Sequence, residues 1–319
     1  MTQPLVSVIC LCHNHAKYIT SCIESVLGQT YKPIEIIIVD DASTDGSKEL
    51  IADLIATHPE IKFIDITNNV GNCKAFNKGL AIAKGEYIVD LATDDLFFSE
   101  RIEKQIALFQ TLPEEYGVVH TNAIFLNEQD QVIRDHKNYL QSKGLLDQMP
   151  EGDVYEKIIS KFFVSGPTML VKRQVFDDLG GYDESLTYED FDFWVRSARK
   201  WKYAYLDETL TKIRKVAGSK SNNWYARGDK QLYSTYLVCR KISEMNQTEA
   251  ENQSLIKRLK YELRQSLFTN NYKEFMLFYR MLGEYKSVGL LERFMHLAAQ
   301  SKIPLSFIRS IYHRLRYKA

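Results

Sequence analysis

Short apolar runs alternate with amphipathic segments over the first 112 residues of the chain. The runs Leu5–Leu11, Ile34–Val39, Ile61–Ile66 and Tyr87–Leu91 have the length and the β-branched composition of buried strands. Between them, apolar residues recur at the spacing of helices that bury one face. The alternation predicts an α/β fold with a mostly parallel central sheet flanked by helices.

The pattern changes near residue 220. Strand-like runs recur up to that point, at about residues 117–120, 123–126, 165–171 and 209–214. The polar stretch 135–152 lacks periodicity and is predicted to be mobile. Helical spacing then predicts helices at about residues 227–245, 249–269, 271–283, 287–300 and 304–317. We therefore predict an α/β domain over residues 1–220 and a helical extension over residues 221–319.

Composition narrows the class of protein. The 319 residues include 41 Lys or Arg and 41 Asp or Glu, so no overall electric field attracts nucleic acid or an acidic partner. The five cysteines form no Cys-x-x-Cys pair, which favours reduced thiols. No apolar run has the length of a membrane span, and the N-terminus enters a strand without a secretion leader. We expect a cytoplasmic protein.

Two predicted strands are followed by adjacent carboxylates. Asp94 and Asp95 come after the run Tyr87–Leu91, and Asp40 and Asp41 come after the run Ile34–Val39. Ligands of open α/β sheets bind at this edge of the strands. Adjacent carboxylates repel each other unless a cation or a ligand's donors lie between them, and a divalent ion carrying a phosphate is a suitable partner. The alternative is a solvated turn in which Asp bonds backbone amides, and we favour that role for Asp40.

A third acidic pair, Glu189 and Asp190, begins a predicted helix after the turn Gly180–Asp183. The helix dipole alone favours acids in a first turn. The dipole does not explain why the pair lies between a Gly-Tyr-Asp turn and an aromatic helix, so a chemical role competes with the structural one. The turn that holds Asn14 lacks G-x-G-x-x-G, which argues against a dinucleotide-dependent dehydrogenase.

Taken in order, these segments closely resemble the family 2 glycosyltransferases. The matching residues are Val6–Ile9, Asn14, Gln29–Thr30, Glu35–Ser47, Gly85–Ile88, Thr93–Asp95 and Glu189–Asp190. The match extends over about residues 5–220. It implies a GT-A (Rossmann-like) fold, a nucleoside diphosphate sugar as donor, Mn²⁺ or Mg²⁺ as cofactor, and inversion at the anomeric carbon.

The resemblance implies a role for each matching residue. On the donor side, Asn14 is expected to contact the nucleotide sugar, and Asp41 to accept a hydrogen bond from the base, most commonly uracil. Asp94 is expected to hold the ribose hydroxyls and Asp95 to bind the metal. On the acceptor side, Asp190 is expected to act as the general base.

Glu189 is then expected to orient Asp190, the general base, or to bind the acceptor.

Two departures from the family's pattern affect the donor side. Phe76 stands where the family commonly has an Arg near the nucleotide. Lys74 is a candidate substitute, and a solvated lysine on a helix is the alternative. Ala92 replaces the first acid of an Asp-x-Asp-Asp motif, so we expect metal binding to be weak without nucleotide.

A third departure lies after the last predicted strand. Val216 stands where the family often has a His that reaches the metal or a phosphate. Arg214, Lys215 or Lys220 is expected to neutralise the diphosphate instead. Solvated charge remains the alternative for all three.

The sequence as a whole predicts a non-processive, metal-dependent, inverting glycosyltransferase. The predicted donor is a UDP-sugar, and the predicted acceptor is a saccharide or a lipid-linked sugar, as in surface polysaccharide or glycan biosynthesis. One alternative is a sugar nucleotidyltransferase, which would need a Gly-rich basic loop where His13–His15 stands. The other is a catalytically degenerate scaffold that binds nucleotide sugars.

The end of the chain is basic. Six Lys or Arg residues and no acid follow Glu292, and the last predicted helix combines basic residues with an apolar stripe. We expect this helix to contact an anionic membrane surface, the catalytic domain, or a second subunit in a homodimer.

Overall fold

A computed structural model describes residues 3–216, 225–285 and 288–305. Its contacts divide the chain into two compact units, which we call the sheet unit and the helical unit. The sheet unit comprises Met1–Tyr139, Gln148–Val154 and Phe163–Ala217. The helical unit comprises Leu140–Asp147, Tyr155–Phe162 and Gly218–Ala319.

The sheet unit contains a nine-stranded mixed sheet in the order β3-β2-β1-β4-β8-β6-β9-β5, with β7 paired to β6. The strands are β1 Val6–Cys12, β2 Ile34–Asp41, β3 Lys62–Ile66, β4 Tyr87–Ala92, β5 Leu96–Phe97, β6 Tyr116–Leu126, β7 Val132–Asp135, β8 Leu170–Lys172 and β9 Lys202–Arg214. The first four positions in this order pair in parallel, as does β6 with β9. Strands β8, β5 and β7 pair antiparallel with their neighbours.

The described residues also form twelve α-helices. They are α1 Ile19–Leu27, α2 Ser47–Thr57, α3 Asn72–Ile82, α4 Arg101–Phe109, α5 His136–Ser142, α6 Tyr155–Ser160, α7 Arg173–Leu179, α8 Asp190–Ala198, α9 Gln231–Met245, α10 Glu249–Phe268, α11 Tyr272–Tyr285 and α12 Leu290–Gln300. Of these, α6 and α9 to α12 belong to the helical unit.

Strand β1 aligns the ends of its two neighbours. Leu11 pairs with Ala92 of β4, and Cys12 pairs with Asp40 of β2. The three strands are parallel, so their carboxyl ends lie at one edge of the sheet. The acids that follow β2 and β4 therefore reach the same edge.

Alternation along the central strands decides which side chains enter which layer. Val8 and Cys10 of β1 and Val89 and Leu91 of β4 are buried in one cluster with apolar residues of α1, α2 and α4. Successive strand residues point to opposite faces, so Asp90 points to the other layer. Asp90 is therefore outside this apolar cluster and can accept a hydrogen bond from Tyr182 on the other face of the sheet.

Four sequence predictions differ from the structure. The strand predicted at 165–171 is shorter, because Gly166–Thr168 form a 3₁₀ helix and strand β8 spans only Leu170–Lys172. Strand β6 is continuous, although two strands were predicted, because the polar residues His120, Thr121 and Asn122 are buried within the sheet. Strand β9 begins at Lys202, earlier than predicted. The stretch 135–152, which lacks helical periodicity and was predicted to be mobile, contains helix α5.

The helical unit confirms four predicted helices as α9 to α12. Helix α10 begins with a capping box in which the Thr248 hydroxyl accepts from the Glu251 N–H and the Glu251 carboxylate accepts from the Thr248 N–H. In the part of the chain that the structure describes, none of the helices combines the length and the apolar character needed to cross a bilayer. The basic helix predicted near 304–317 falls almost wholly outside the described residues.

Candidate active site

The turns after β1 and β2 brace each other. The Asn14 amide oxygen accepts from the Thr44 N–H at 2.8 Å, and the Asn14 N–H donates to the Ser43 hydroxyl at 2.9 Å. The His13 ring nitrogen Nδ1 donates to the Asp41 carbonyl oxygen at 2.7 Å. Asn14 is exposed, and its hydrogen bonds hold the turn that follows β2 in place.

Asp41 is almost fully buried at the end of β2. Its carboxylate oxygens accept from the N–H groups of Val70 and Gly71 at 2.7 and 2.9 Å. These two residues precede α3, so the carboxylate connects the β2 end to the loop that starts that helix. Each carboxylate oxygen retains a second acceptor position, which suits a base N–H. Lys74 lies one turn further on, on the exposed face of α3.

Asp94 and Asp95 lie together at the end of β4, 8% and 3% exposed. Burial and the charge of Asp94 raise the pKa of Asp95 well above its ordinary value. One oxygen of Asp95 accepts from the backbone N–H of Arg214 at 2.9 Å. The carboxylate therefore lies in a site that disfavours its charge, as expected for a group whose partner is a bound cation.

His15 completes this edge of the sheet. Thr93 donates its hydroxyl to the Leu11 carbonyl at 3.1 Å, so its oxygen accepts from His15 Nδ1 at 2.9 Å. The other ring nitrogen, Nε2, then lies 3.9 Å from a carboxylate oxygen of Asp94. Sequence analysis missed His15, although its position next to Asn14 was visible.

Arg214 is buried and braces the acid pair. Its guanidinium donates to the Asp94 carbonyl at 3.0 Å and to the Asp130 carboxylate at 2.7 Å, and it lies over the Tyr18 ring at 5.0 Å. The structure therefore brings Arg214 to Asp94 and Asp95, where it connects the end of β4 to Asp130. Binding of the diphosphate by Arg214 stays a prediction.

Two further cations were predicted here. Desolvation lowers the pKa of Lys215, while the charges of Asp95 and Asp94 act in the opposite direction. Lys215 therefore lies near the acid pair. Lys220 falls outside the described residues.

Glu189 and Asp190 begin α8, where Glu189 is the N-terminal cap residue. Asp190 lies directly against Gly166, since a Cβ at that position would be 2.3 Å from the Asp190 Oδ1 atom. Only glycine permits this approach. Desolvation and the charge of Glu189 raise the pKa of Asp190 well above its ordinary value, which makes it a stronger base than a solvated carboxylate.

Asp90 is a third acid at this centre, and sequence analysis missed it because it lies inside an apolar run. Its carboxylate accepts from the Tyr182 hydroxyl at 3.0 Å. Desolvation and the charges of Glu189 and Asp190 raise the pKa of Asp90, so the three carboxylates lie close enough to interact. Strand β4 thus contributes to both acidic centres.

The turn that leads to α8 is held by α3. Asn77 accepts from the Tyr182 N–H and donates to the Tyr182 carbonyl, both at 2.9 Å. Gly181 has φ +80°, and a Cβ there would lie 2.6 Å from the Asn77 Oδ1 atom. Phe76 packs on Tyr182 with ring centroids 4.2 Å apart. Phe76, which stands where the resemblance led us to expect an Arg, therefore packs against the turn that precedes α8.

The donor set at Asp94 and Asp95 fits a divalent cation. Mg²⁺ and Mn²⁺ are usually held by one or two carboxylates, with phosphates and water in the other positions. Among the described residues, no group of three or more His, Cys, Asp or Glu side chains is arranged to hold a metal ion. Asp95 would hold the ion together with phosphates of the nucleotide, and Asp94 lies next to it for the predicted contact with the ribose.

Comparison with protein families identifies one matching model, glycosyl transferase family 2, over residues 7–180. An uncharacterized glycosyltransferase of Methanocaldococcus jannaschii is 31% identical over 247 residues, which are 75% of this chain and 79% of that protein. Glycosyltransferase GlyG of Streptococcus pneumoniae is 28% identical over 248 residues, 76% of this chain and 68% of that protein.

Solved structures show the same fold. S. aureus TarS 1-349 in complex with UDP-GlcNAc aligns with a TM-score of 0.69 and 20% identity over 98% of this chain and 91% of that one. The mannosyltransferase PcManGT from Pyrobaculum calidifontis, in complex with GDP-Man and Mn²⁺, aligns with a TM-score of 0.59 and 16% identity over 96% of this chain and 87% of that one. The likeness confirms the predicted α/β fold class with its C-terminal helices.

Proposed function

The chain belongs to glycosyl transferase family 2 and is a nucleotide-sugar-dependent glycosyltransferase, and we propose that it is a metal-dependent, inverting enzyme that uses a UDP-sugar. The observation that carries this proposal is the pairing of two acidic centres along β4. One lies at the end of the strand, at Asp94 and Asp95, and the other surrounds Asp90. Donor phosphates and acceptor hydroxyl each need one such centre.

The nucleotide base is proposed to bind beside Asp41. The carboxylate is fixed by two backbone N–H groups, so its remaining acceptor positions have a defined direction. A fixed carboxylate selects a base that offers an N–H at that point and disfavours one that offers only acceptors. Uracil satisfies this requirement, and TarS, whose fold this chain shares, has been solved with UDP and with UDP-GlcNAc.

The ribose hydroxyls are proposed to lie at Asp94, and the diphosphate with its divalent ion at Asp95. A divalent ion held there would offset the negative charge that develops on the departing nucleoside diphosphate. Arg214 keeps this edge in place through the Asp94 carbonyl and the Asp130 carboxylate. His15, with one ring nitrogen fixed by Thr93, places the other 3.9 Å from a carboxylate oxygen of Asp94.

Asp190 is proposed to take the proton of the acceptor hydroxyl. The hydroxyl oxygen forms a bond to the anomeric carbon as the bond from that carbon to the diphosphate oxygen breaks, and the configuration inverts. The position of Asp190 against Gly166 restricts the carboxylate, and its raised pKa increases its basicity. Glu189 is proposed to orient the acceptor. A saccharide or lipid-linked acceptor, as in surface polysaccharide assembly, stays a prediction from the resemblance.

A donor screen tests the proposal. Purified protein with Mn²⁺ is incubated with UDP- and GDP-sugars and a panel of saccharide acceptors, and nucleotide release is measured. We expect release from a UDP-sugar, and Asp190→Asn should lower kcat by about 10² or more with donor affinity changed by only a few fold. Asp177→Asn, which alters an exposed acid on α7, is the matched control.

Two results would contradict the proposal. Donor binding without release, with every acceptor and with water, would indicate a binding scaffold. Pyrophosphate release from a nucleoside triphosphate and a sugar phosphate would indicate a nucleotidyltransferase.

A further inference from the structure

Helix α12 of the helical unit exposes a row of large apolar side chains. Leu290, Leu291, Phe294 and Leu297 are 86%, 65%, 69% and 61% exposed, and Ile303 just beyond the helix is 47% exposed. Positions 290, 294 and 297 follow helical spacing, so these side chains share one face. Single exposed apolar residues are ordinary, but a contiguous row of this kind is typical of an interaction site.

The opposite face of α12 supplies the packing that the fold needs. Met295, Ala298 and Ala299 are buried, and the His296 ring stacks on Tyr279 of α11 at 4.2 Å. The helix is therefore held in place without its exposed row. The row is available for something outside the helical unit's core.

The charge around this row indicates the chemistry of its partner. Glu292 is the acid of α12, and it is buried, with an oxygen 3.0 Å from the Lys260 ammonium. From Arg293 to the end of the sequence there are six Lys or Arg residues and no acid. Two of them, Arg293 and Lys302, lie in described residues and are exposed. An apolar row within such a basic segment complements an anionic surface.

We propose that α12 docks on an anionic lipid bilayer. In this arrangement Leu290, Leu291, Phe294 and Leu297 enter the boundary between headgroups and acyl chains, and Arg293 and Lys302 lie among the lipid phosphates. A second copy of the chain fits less well, because self-association through this face would bring the two basic segments together. This inference does not depend on the proposed donor or acceptor.

Vesicle flotation with the full-length protein tests the inference. The probes are vesicles of phosphatidylcholine alone and of phosphatidylcholine with 30% phosphatidylglycerol, at salt concentrations from about 0.05 to 0.5 M. The double variant Leu291→Asn/Phe294→Asn should reduce binding to the anionic vesicles by about tenfold or more, because two apolar side chains no longer leave water. Arg293→Gln/Lys302→Gln should reduce it by about fivefold per residue at low salt.

The matched control is Val132→Asn/Ile133→Asn, which alters two apolar residues of β7 that are 60% and 53% exposed. This variant should float like wild type. All variants are at exposed positions, so each should keep its melting temperature within about 2 °C of wild type.

Several results would overturn the inference. The inference is wrong if wild-type protein floats with neither kind of vesicle. It is also wrong if the α12 variants float with anionic vesicles as well as wild type does. Equal binding to neutral and anionic vesicles at every salt concentration would refute the anionic preference. A wild-type dimer that Leu291→Asn/Phe294→Asn converts to monomer, measured by light scattering, would assign the row to a second copy of the chain.

Discussion

Asp95→Asn is expected to stabilise the ligand-free protein and, at the same time, to remove the metal-dependent part of donor binding. Asp95 is 3% exposed and lies beside Asp94, and one of its oxygens accepts from the Arg214 N–H at 2.9 Å. An Asn side chain keeps an oxygen for that N–H and removes the charge. The substitution therefore separates the hydrogen bond from the electrostatic repulsion.

The sign follows from the raised pKa of Asp95. Its folded-state pKa lies well above the ordinary value of 3.8, so at pH values near or below 3.8 the wild-type and variant side chains are both neutral and no gain is expected. As the pH rises, the unfolded state ionises more readily than the folded state, and the wild-type protein loses stability. Each unit of pKa difference corresponds to about 1.4 kcal/mol.

We expect the variant to gain about 1–3 kcal/mol in free energy of unfolding at pH 8. For a domain of this size, that corresponds to a rise of about 3–10 °C in melting temperature.

Thermal unfolding with EDTA at pH 4.5 and pH 8.0 measures the gain, and a second series with Mn²⁺ and UDP measures the loss. Ligand at about a hundredfold over its Kd should stabilise wild type by about 2.7 kcal/mol, and the variant by clearly less. The control is Asp192→Asn. That acid is buried but paired, with Oδ2 2.7 Å from Arg196 Nε, so its removal should lower stability by about 1–3 kcal/mol.

A fall in the melting temperature of Asp95→Asn at pH 8 without ligand would refute the reasoning about burial. Equal stabilisation of variant and wild type by Mn²⁺ with UDP would remove Asp95 from the metal site.

Two further predictions concern the base and the nucleotide. Glu189→Gln should move the acidic limb of the rate–pH profile to lower pH, because the charge that helps to raise the pKa of Asp190 is lost; an unmoved limb in steady-state assays would separate the two acids. Asp41→Asn should weaken UDP binding in calorimetry and lower stability by about 1–3 kcal/mol, since one of the Val70 and Gly71 N–H groups would meet an NH₂ group; unchanged binding would place the base elsewhere.

The acids at strand ends were predictable because strand ends are visible in the sequence. An apolar run that stops at Asp94 and Asp95 marks its own boundary, and a parallel sheet brings such ends to one edge. Asp90 was not predictable in this way. Its position inside the run is typical of core, and its role depends on Tyr182, which is 92 residues away in the sequence.

The prediction of two short strands in place of β6 was wrong for a related reason. Thr121 and Asn122 separate the two predicted runs, and polar residues between apolar runs usually mark a turn. In the fold, Asn122 donates to Thr209 on β9 and to Asp135 at the end of β7, at 2.9 and 2.6 Å. Partners on distant strands satisfy the polar side chain, and local pattern cannot reveal them.

The buried acids of the sheet unit fall into two kinds, and the difference bears on function. Asp192 has its charge compensated within the fold by Arg196. Asp95 and Asp190 have pKa values raised by desolvation and by a neighbouring acid, so the fold leaves their charges poorly compensated. A fold under selection for stability alone would replace or pair such groups. Their retention at two points connected by β4 is best explained by ligands that supply the missing partners: a cation with phosphates at Asp95, and a hydroxyl proton at Asp190.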